Sequence, residues 1–216
     1  MFTEIMIKNK DQLAKSGSYL LPQIDKMIGL LGRLESAASA DFYNSVQHQS
    51  FAKGAFLLKE GEACKYIWFL ETGICRQYMN NNGTEQVGGF YFPGEFIVSN
   101  IAAEINSLSK INLQFESTAI AYILHLNHLE RFRITYPVLN EIEKIGMACR
   151  AGWSTRHNYM LHLTAVQRYN YIQNHQPVLL HRITLKQIAS YLRMTPERLS
   201  RIRAKTKNKI AVNTIY

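Results

Sequence analysis

Residues 181–209 read HRITLKQIASYLRMTPERLSRIRAKTKNK, two stretches of helical periodicity with only a few residues between them. That spacing narrows this end of the chain to a packed helix pair joined by a tight turn. Thr184, followed three residues later by Gln187, forms a capping box, so the first helix begins there. Leu185, Ile188, Ala189 and Leu192 recur as one buried stripe, and Ala189 is small enough to let a second helix cross closely. Thr195 and Pro196 restart the pattern, since a Thr side chain caps free amides and Pro suits the first helical turn. Leu199 and Ile202 then face the first helix, leaving Glu197, Arg198, Arg201 and Lys205 on the outer side.

Charge decides what that outer side meets. Residues 182–209 hold nine Lys or Arg against one acid, Glu197, whereas an ordinary solvated face mixes both signs. From Arg150 onward there are twelve cations and one acid, net +11, while residues 1–149 carry thirteen and fifteen, net −2. A polyanion is the partner expected at that end. A cation-lined helix behind a tight turn is the form in which a protein enters the major groove of DNA.

With 47% hydrophobic residues over 216 positions, the chain can build two modest cores. Between about Phe51 and Leu126 the apolar residues come in short runs, FLLKEGE, YIWFLETG, ICRQYMNNNG, FYFPGEF, INLQFES and AIAYILHL. β-branched and aromatic runs broken by Gly and Asn predict a strand-rich roll. Asn80-Asn81-Asn82-Gly83 supplies the positive backbone angles of a hairpin loop. Ile111, Leu113 and Phe115 alternate with Asn112, Gln114 and Glu116, as in a strand with one buried and one wet face.

After the roll, a short helix is expected over Asn127 to Phe132 and, after Tyr136-Pro137, a longer one that runs to about Ser154 or further. Val138, Ile142, Ile145, Cys149 and Gly152 recur at alternating four- and three-residue steps, a seam that packs either on its own roll or against another copy. A further helix is expected from about Leu163 to Asn174, with Val166, Tyr169, Tyr171 and Ile172 as core, ending before Gln176-Pro177. Ile210 to Tyr216 reads as a terminal strand and residues 1–38 as a helical arm.

The segment Thr195, Glu197, Arg201 resembles the recognition helix of the Crp/Fnr family of transcription regulators. There a small capping residue precedes a Glu at the second helical position and an Arg four residues on. The resemblance implies that Arg201 reaches guanine O6 and N7 and that Glu197 accepts from a cytosine amine. Arg198, Lys205, Thr184 and Lys186 complete the implied contact set. Two departures stand out: Arg193 occupies a turn position that often carries Gly, and Pro196 replaces a residue that some members use on phosphate, so a target sequence does not transfer.

Gly54, Leu57, Glu60-Gly61-Glu62, Leu70, Gly73 and Pro93-Gly94-Glu95-Phe96 likewise resemble the cyclic-nucleotide-binding fold of that family. Together the resemblances cover roughly residues 40 to 216. They imply an α+β chain with a helical arm over 1–38 and a cyclic-nucleotide-binding-type domain, a jelly-roll-like double-stranded β-helix, over 39–135. A long dimerisation helix over 136–160 and a winged helix-turn-helix domain over 161–216 follow. Members that hold a cyclic nucleotide use a Gly-Glu pair on the ribose and an Arg on the phosphate. Here Ile97-Val98-Ser99-Asn100 offers no acid, and the place of the Arg falls near Ser109-Lys110-Ile111. A Lys is a point charge on a flexible stem and orients a cyclic phosphate poorly. Phe96, Ser99, Asn100, Ser109 and Lys110 are therefore expected to line a pocket that takes an effector other than a classical cyclic nucleotide, or takes none and leaves the roll constitutively set.

Other function classes lack their motifs. The cysteines Cys64, Cys75 and Cys149 stand singly, as small buried hydrophobes do, and are too few for an iron–sulfur cluster. His125 and His128 have metal-compatible spacing without a partnering acid motif, and neither G-x-S-x-G nor a GK[ST] phosphate loop occurs. No metal, haem or catalytic residue is indicated. No stretch approaches a membrane span, and MFTEIMIKNKDQL lacks a sustained apolar region, so a cytoplasmic protein is expected. Double-stranded DNA, a second copy of the chain, a small-molecule effector and RNA polymerase are the partners this reading implies. The other reading is a roll that binds an effector or a protein, its basic end attaching to nucleic acid without sequence preference.

Overall fold

The computed structural model describes residues 36–97, 108–136 and 138–213; many side chains between Val138 and Arg156 and all those beyond Thr206 lie outside the description. A first helix, α1 (Ser36–Ser45), leads into β1 (Val46–Phe51). There follow β2 (Phe56–Leu58), β3 (Tyr66–Thr72), β4 (Cys75–Asn81), β5 (Thr84–Tyr91), β6 (Phe96–Ile97), β7 (Asn112–Phe115) and β8 (Ala119–His125). They pair antiparallel into two four-stranded sheets, ordered β1-β8-β3-β6 and β2-β7-β4-β5. This is the jelly-roll that the short apolar runs predict.

The sheets enclose a core of Leu58, Trp68, Leu70, Leu113 and Phe115, with the side chains of Cys64 and Cys75 buried in it as expected. Cys149 lies outside the described side chains. At the β4–β5 hairpin Asn82 and Gly83 both have positive φ, 48° and 79°, the turn whose twist matches that of the flanking strands. Gly73 turns the chain between β3 and β4 at φ 98°, where an added Cβ would lie 2.5 Å from that of Ala119. No other residue fits that corner.

Beyond the roll come α2 (Leu126–Thr135), α3 (Val138–His162), α4 (Ala165–His175), α5 (Pro177–Arg182), α6 (Leu185–Tyr191) and α7 (Pro196–Asn213). Several expectations are corrected here. Thr164 and Gln167 form a second capping box that starts α4. The buried stripe of α4 is Tyr169 and Ile172, with Tyr171 partly buried beside it, whereas Val166 is half exposed. One residue on from the stripe's start at Ala165 is a 100° rotation, enough to carry Val166 out to water. Pro177 opens the short helix α5 rather than merely ending its predecessor. Residues 210–213 continue α7 instead of forming a strand; residues 214–216 and the arm over 1–35 lie outside the described residues.

A second hydrophobic core joins the two parts of the molecule. Ile74, Tyr78, Val87 and Phe90, on the outer face of the β4–β5 sheet, form one cluster with Ile172, Leu179, Ile188, Tyr191, Leu199 and Ile202 of the helical domain. The outer face of β7, expected to be wet, is therefore covered. Gln114 and Glu116 turn not to water but to Arg76, which is only 4% exposed.

Candidate nucleic-acid interface

Local chemistry builds the helix pair as its sequence dictates. Thr184 caps α6, its hydroxyl accepting from the Gln187 N–H while the Gln187 side-chain oxygen accepts from the Thr184 N–H at 3.2 Å. Ile188, Ala189, Tyr191 and Leu192 are buried. At the end of α6 the Met194 N–H donates to the Ala189 carbonyl at 3.0 Å and the Arg193 N–H to the Ser190 carbonyl at 3.1 Å. This Schellman closure needs a left-handed residue, and Arg193 adopts it at φ 53° where Gly is usual. The departure noted in the sequence is thus real: the turn keeps its geometry with a strained Arg.

Thr195 then starts α7. Its hydroxyl accepts from the Arg198 N–H at 3.3 Å. Leu199 and Ile202 are buried against the rest of the domain, while Thr195, Glu197, Arg198, Arg201 and Lys205 are all exposed, as are Thr184 and Lys186 at the start of α6. The Glu197 carboxylate is held below its usual range by its own backbone N–H and the Thr195 hydroxyl, with Arg201 adding to the effect. It therefore stays an acceptor at physiological pH. The edge presents two exposed guanidinium forks and one exposed carboxylate, the donor and acceptor types that base edges in the major groove answer.

Two features that hold this pair in place escaped the sequence reading. Arg168 on α4 donates to the carbonyls of Leu161 at 2.8 Å, Leu163 at 2.9 Å and Leu192 at 2.8 Å, joining the end of α3 to the turn after α6. Ser190 sits on β5, the edge of its sheet: the Val87 N–H donates to its hydroxyl at 2.9 Å, and the hydroxyl donates to the Glu85 carbonyl at 3.0 Å. Nearby, Phe90 meets the Tyr191 ring edge-on at 5.3 Å, and His157 of α3 stacks on the same ring at 5.0 Å. Burial, with Arg193 beside it, pushes the His157 imidazole down to about 4, so it is neutral at pH 7. No short-range pattern marks these residues, because each acts across a long stretch of chain.

The residues expected to line an effector pocket are only partly brought together. Phe96 packs on Phe69 with ring centres 5.0 Å apart, and the buried Ser109 hydroxyl is engaged with the backbone of Ile111. Lys110 is exposed, and Ser99 and Asn100 lie outside the described residues. The buried guanidinium of the roll, Arg76, is committed elsewhere, to Glu85 at 2.6 Å and to Glu116. Of the seam residues on α3, Gly152 is half-buried, and the side chains of Val138, Ile142, Ile145 and Cys149 lie outside the description. Among the described residues no group of His, Cys, Asp and Glu is placed to hold a metal ion, and no helix is long and apolar enough to cross a membrane. His125 instead caps α2, its Nδ1 accepting from the Asn127 N–H at 3.1 Å.

Comparison with known proteins fits this architecture. Residues 48–128 match the cyclic nucleotide-binding domain family. No curated protein matches the chain by sequence. Among solved structures it is similar to a putative Crp/Fnr-family transcriptional regulator from Eubacterium rectale, at 15% identity and a TM-score of 0.66, with 83% of this chain and 87% of that one covered. A cyclic nucleotide-binding domain containing protein from Listeria monocytogenes aligns with a TM-score of 0.63 at 18% identity, over 87% of this chain and 91% of that one. FixK2 from Bradyrhizobium japonicum aligns with a TM-score of 0.62 at 18% identity, over 76% and 85% respectively. An eight-stranded cyclic-nucleotide-binding-type roll followed by helices is thus the fold of this chain, and it is the fold of the Crp/Fnr regulators.

Proposed function

We propose that this chain, built on the Crp/Fnr plan, is a homodimeric transcription regulator that binds DNA sequence-specifically in the cytoplasm and is controlled by a small effector other than a classical cyclic nucleotide. One observation carries the reading: α7 buries Leu199 and Ile202 while Glu197, Arg198, Arg201 and Lys205 all face outward. A helix whose apolar side is spent on its own domain and whose outer side is cationic is equipped for a groove, not for a core. Arg201 and Glu197 are the base-reading pair, Arg198 and Lys205 their neighbours on base or phosphate, and Thr184 and Lys186 meet the backbone at the start of α6.

Dimerisation follows from size. A single groove-reading helix buries too little surface for tight specific binding, and two helices about 34 Å apart read successive turns of a palindrome. Val138, Ile142, Ile145, Cys149 and Gly152 form the seam that pairs α3 with its copy. A classical cyclic nucleotide is disfavoured because the buried Arg76 is tied to two carboxylates. The effector site is then the region of Phe96, Ser99, Asn100, Ser109 and Lys110, and RNA polymerase is the partner through which binding becomes regulation.

Selecting bound sequences from random duplex DNA with the purified protein tests the proposal. Recovery of a two-fold symmetric site is expected. Binding without base preference would instead favour a roll that serves as an interaction module with a merely electrostatic attachment to nucleic acid.

A further inference from the structure

The helix pair is attached to the rest of the molecule in more than one place. Arg168 ties it to the end of α3, but a single tether of that kind leaves the domain free to swivel about the joint. The second attachment is a seam between α6 and the outer face of the β4–β5 sheet. Its apolar part is Phe90 against Tyr191, and Ser190 takes the place of a neighbouring strand on the edge of β5.

The polar key of the seam is Gln187. Its side-chain oxygen closes the capping box by accepting from Thr184, while its Nε2 donates at 2.8 Å to the carboxylate of Glu116, the same carboxylate that holds Arg76. The two ends of one amide thus do different work. A glutamate here would cap the helix equally well but would set a second carboxylate against Glu116. Glutamine at this position is therefore explained by the contact with the roll and not by the helix.

We propose, resting on the DNA-binding reading above, that Gln187 is a positioning residue. By locking α6 onto the roll it fixes the direction in which α7 points, and so determines which half-site separation the dimer accepts. The recognition edge stays exposed while the seam is closed, so the locked arrangement is free to bind. Opening the seam leaves each helix able to read its own bases and removes the constraint on the distance between them.

The test uses the full chain, Gln187→Glu, and the exchanged pair Gln187→Glu with Glu116→Gln. Arg76 and Gln187 both donate to one oxygen of Glu116. In the exchanged pair a small rotation at position 116 gives Arg76 the amide oxygen and position 187 the amide nitrogen, so that an amide and a carboxylate again meet. Binding is measured on a series of operators that share one half-site and differ in separation by single base pairs, and on the isolated half-site. The wild type should prefer one separation sharply. Gln187→Glu should lose about tenfold on that operator, flatten the dependence on separation and leave half-site base preference unchanged, and the exchanged pair should return to within about twofold of wild type. Hydrogen exchange at the Val87 amide, read without DNA, should speed up in Gln187→Glu and recover in the exchanged pair. An unaltered Val87 amide, an unaltered dependence on separation, or a failure of the exchanged pair to restore either would overturn the proposal. A wild type that selects no bases at all would remove the DNA-binding reading, and the Val87 exchange would still report whether the seam is keyed by Gln187.

Discussion

Arg168 and Leu192 are joined by a 2.8 Å hydrogen bond from guanidinium to carbonyl across 24 residues, and the same guanidinium also holds the carbonyls of Leu161 and Leu163. The end of the long helix and the turn of the helix pair are thus fixed to one planar group. Helix-terminal carbonyls have no partner within their own helix, and a buried one left unpaired is costly. Arg168→Met should therefore destabilise the chain by about 2–4 kcal/mol in urea denaturation. Arg168→Lys should fall between, since an ammonium cannot span three carbonyls in the geometry of a fork. A Met variant as stable as wild type would show the clamp to be dispensable.

Arg193 points to a change in the opposite direction. It holds the left-handed conformation of the turn at φ 53° with a side chain that disfavours it, a cost of about 1–2 kcal/mol that Gly escapes in the folded state. Arg193→Gly is expected to raise the melting temperature by a few degrees, the flexibility of unfolded Gly taking back part of the gain. The sequence preference on DNA should be unchanged.

On DNA, Arg201 and Lys205 should separate base reading from charge. Arg201→Ala is expected to relax specificity at one base pair by about 1–3 kcal/mol, while Lys205→Ala weakens cognate and random duplexes alike and lowers the salt slope by about one. Competition binding at several ionic strengths distinguishes the two. Equal losses on both duplexes from both variants would count against base reading by Arg201.

Glu95 gives the chain a pH-dependent element. Desolvation pushes its carboxyl from the ordinary 4.5 up to about 7, partly offset by the N–H of Phe92, which donates to it at 3.0 Å. Because the folded value lies above the unfolded one, the protonated acid favours folding. That contribution is complete below about 4.5 and is lost as pH rises through about 7. Glu95→Gln keeps an acceptor for Phe92 and cannot ionise. It should melt above wild type at mildly alkaline pH, with the gap closing as the solution is acidified. A gap independent of pH would place the titration elsewhere.

What could be read from the sequence was what is decided locally. Thr184 with Gln187, the break at Arg193 and the Thr195-Pro196 restart each involve neighbours within one turn, and they fixed the helix pair and the exposure of Arg201 before any tertiary contact was known. Asn82-Gly83 did the same for the β4–β5 hairpin. The docking of the helical domain on the roll was not legible. Gln114 and Glu116 alternate with Leu113 and Phe115 as a solvent face should, and only the fold reveals that Arg76 and α6 cover them. Residues 210–213 misled for a related reason: the β-branched residues among them suit a strand, but a helix already running from Pro196 extends at the cost of one residue at a time and carries them along.

The bond between Ser190 and the rim of β5 bears on how the roll would behave alone. Without the C-terminal helices, Val87 and Glu85 would offer unsatisfied backbone groups beside a bare apolar patch of Ile74, Tyr78 and Phe90, the combination that invites one molecule to add onto the next. The helical domain is therefore also a chaperone in cis, and a fragment ending after the roll would be a sticky, self-associating species rather than a tractable isolated sensor.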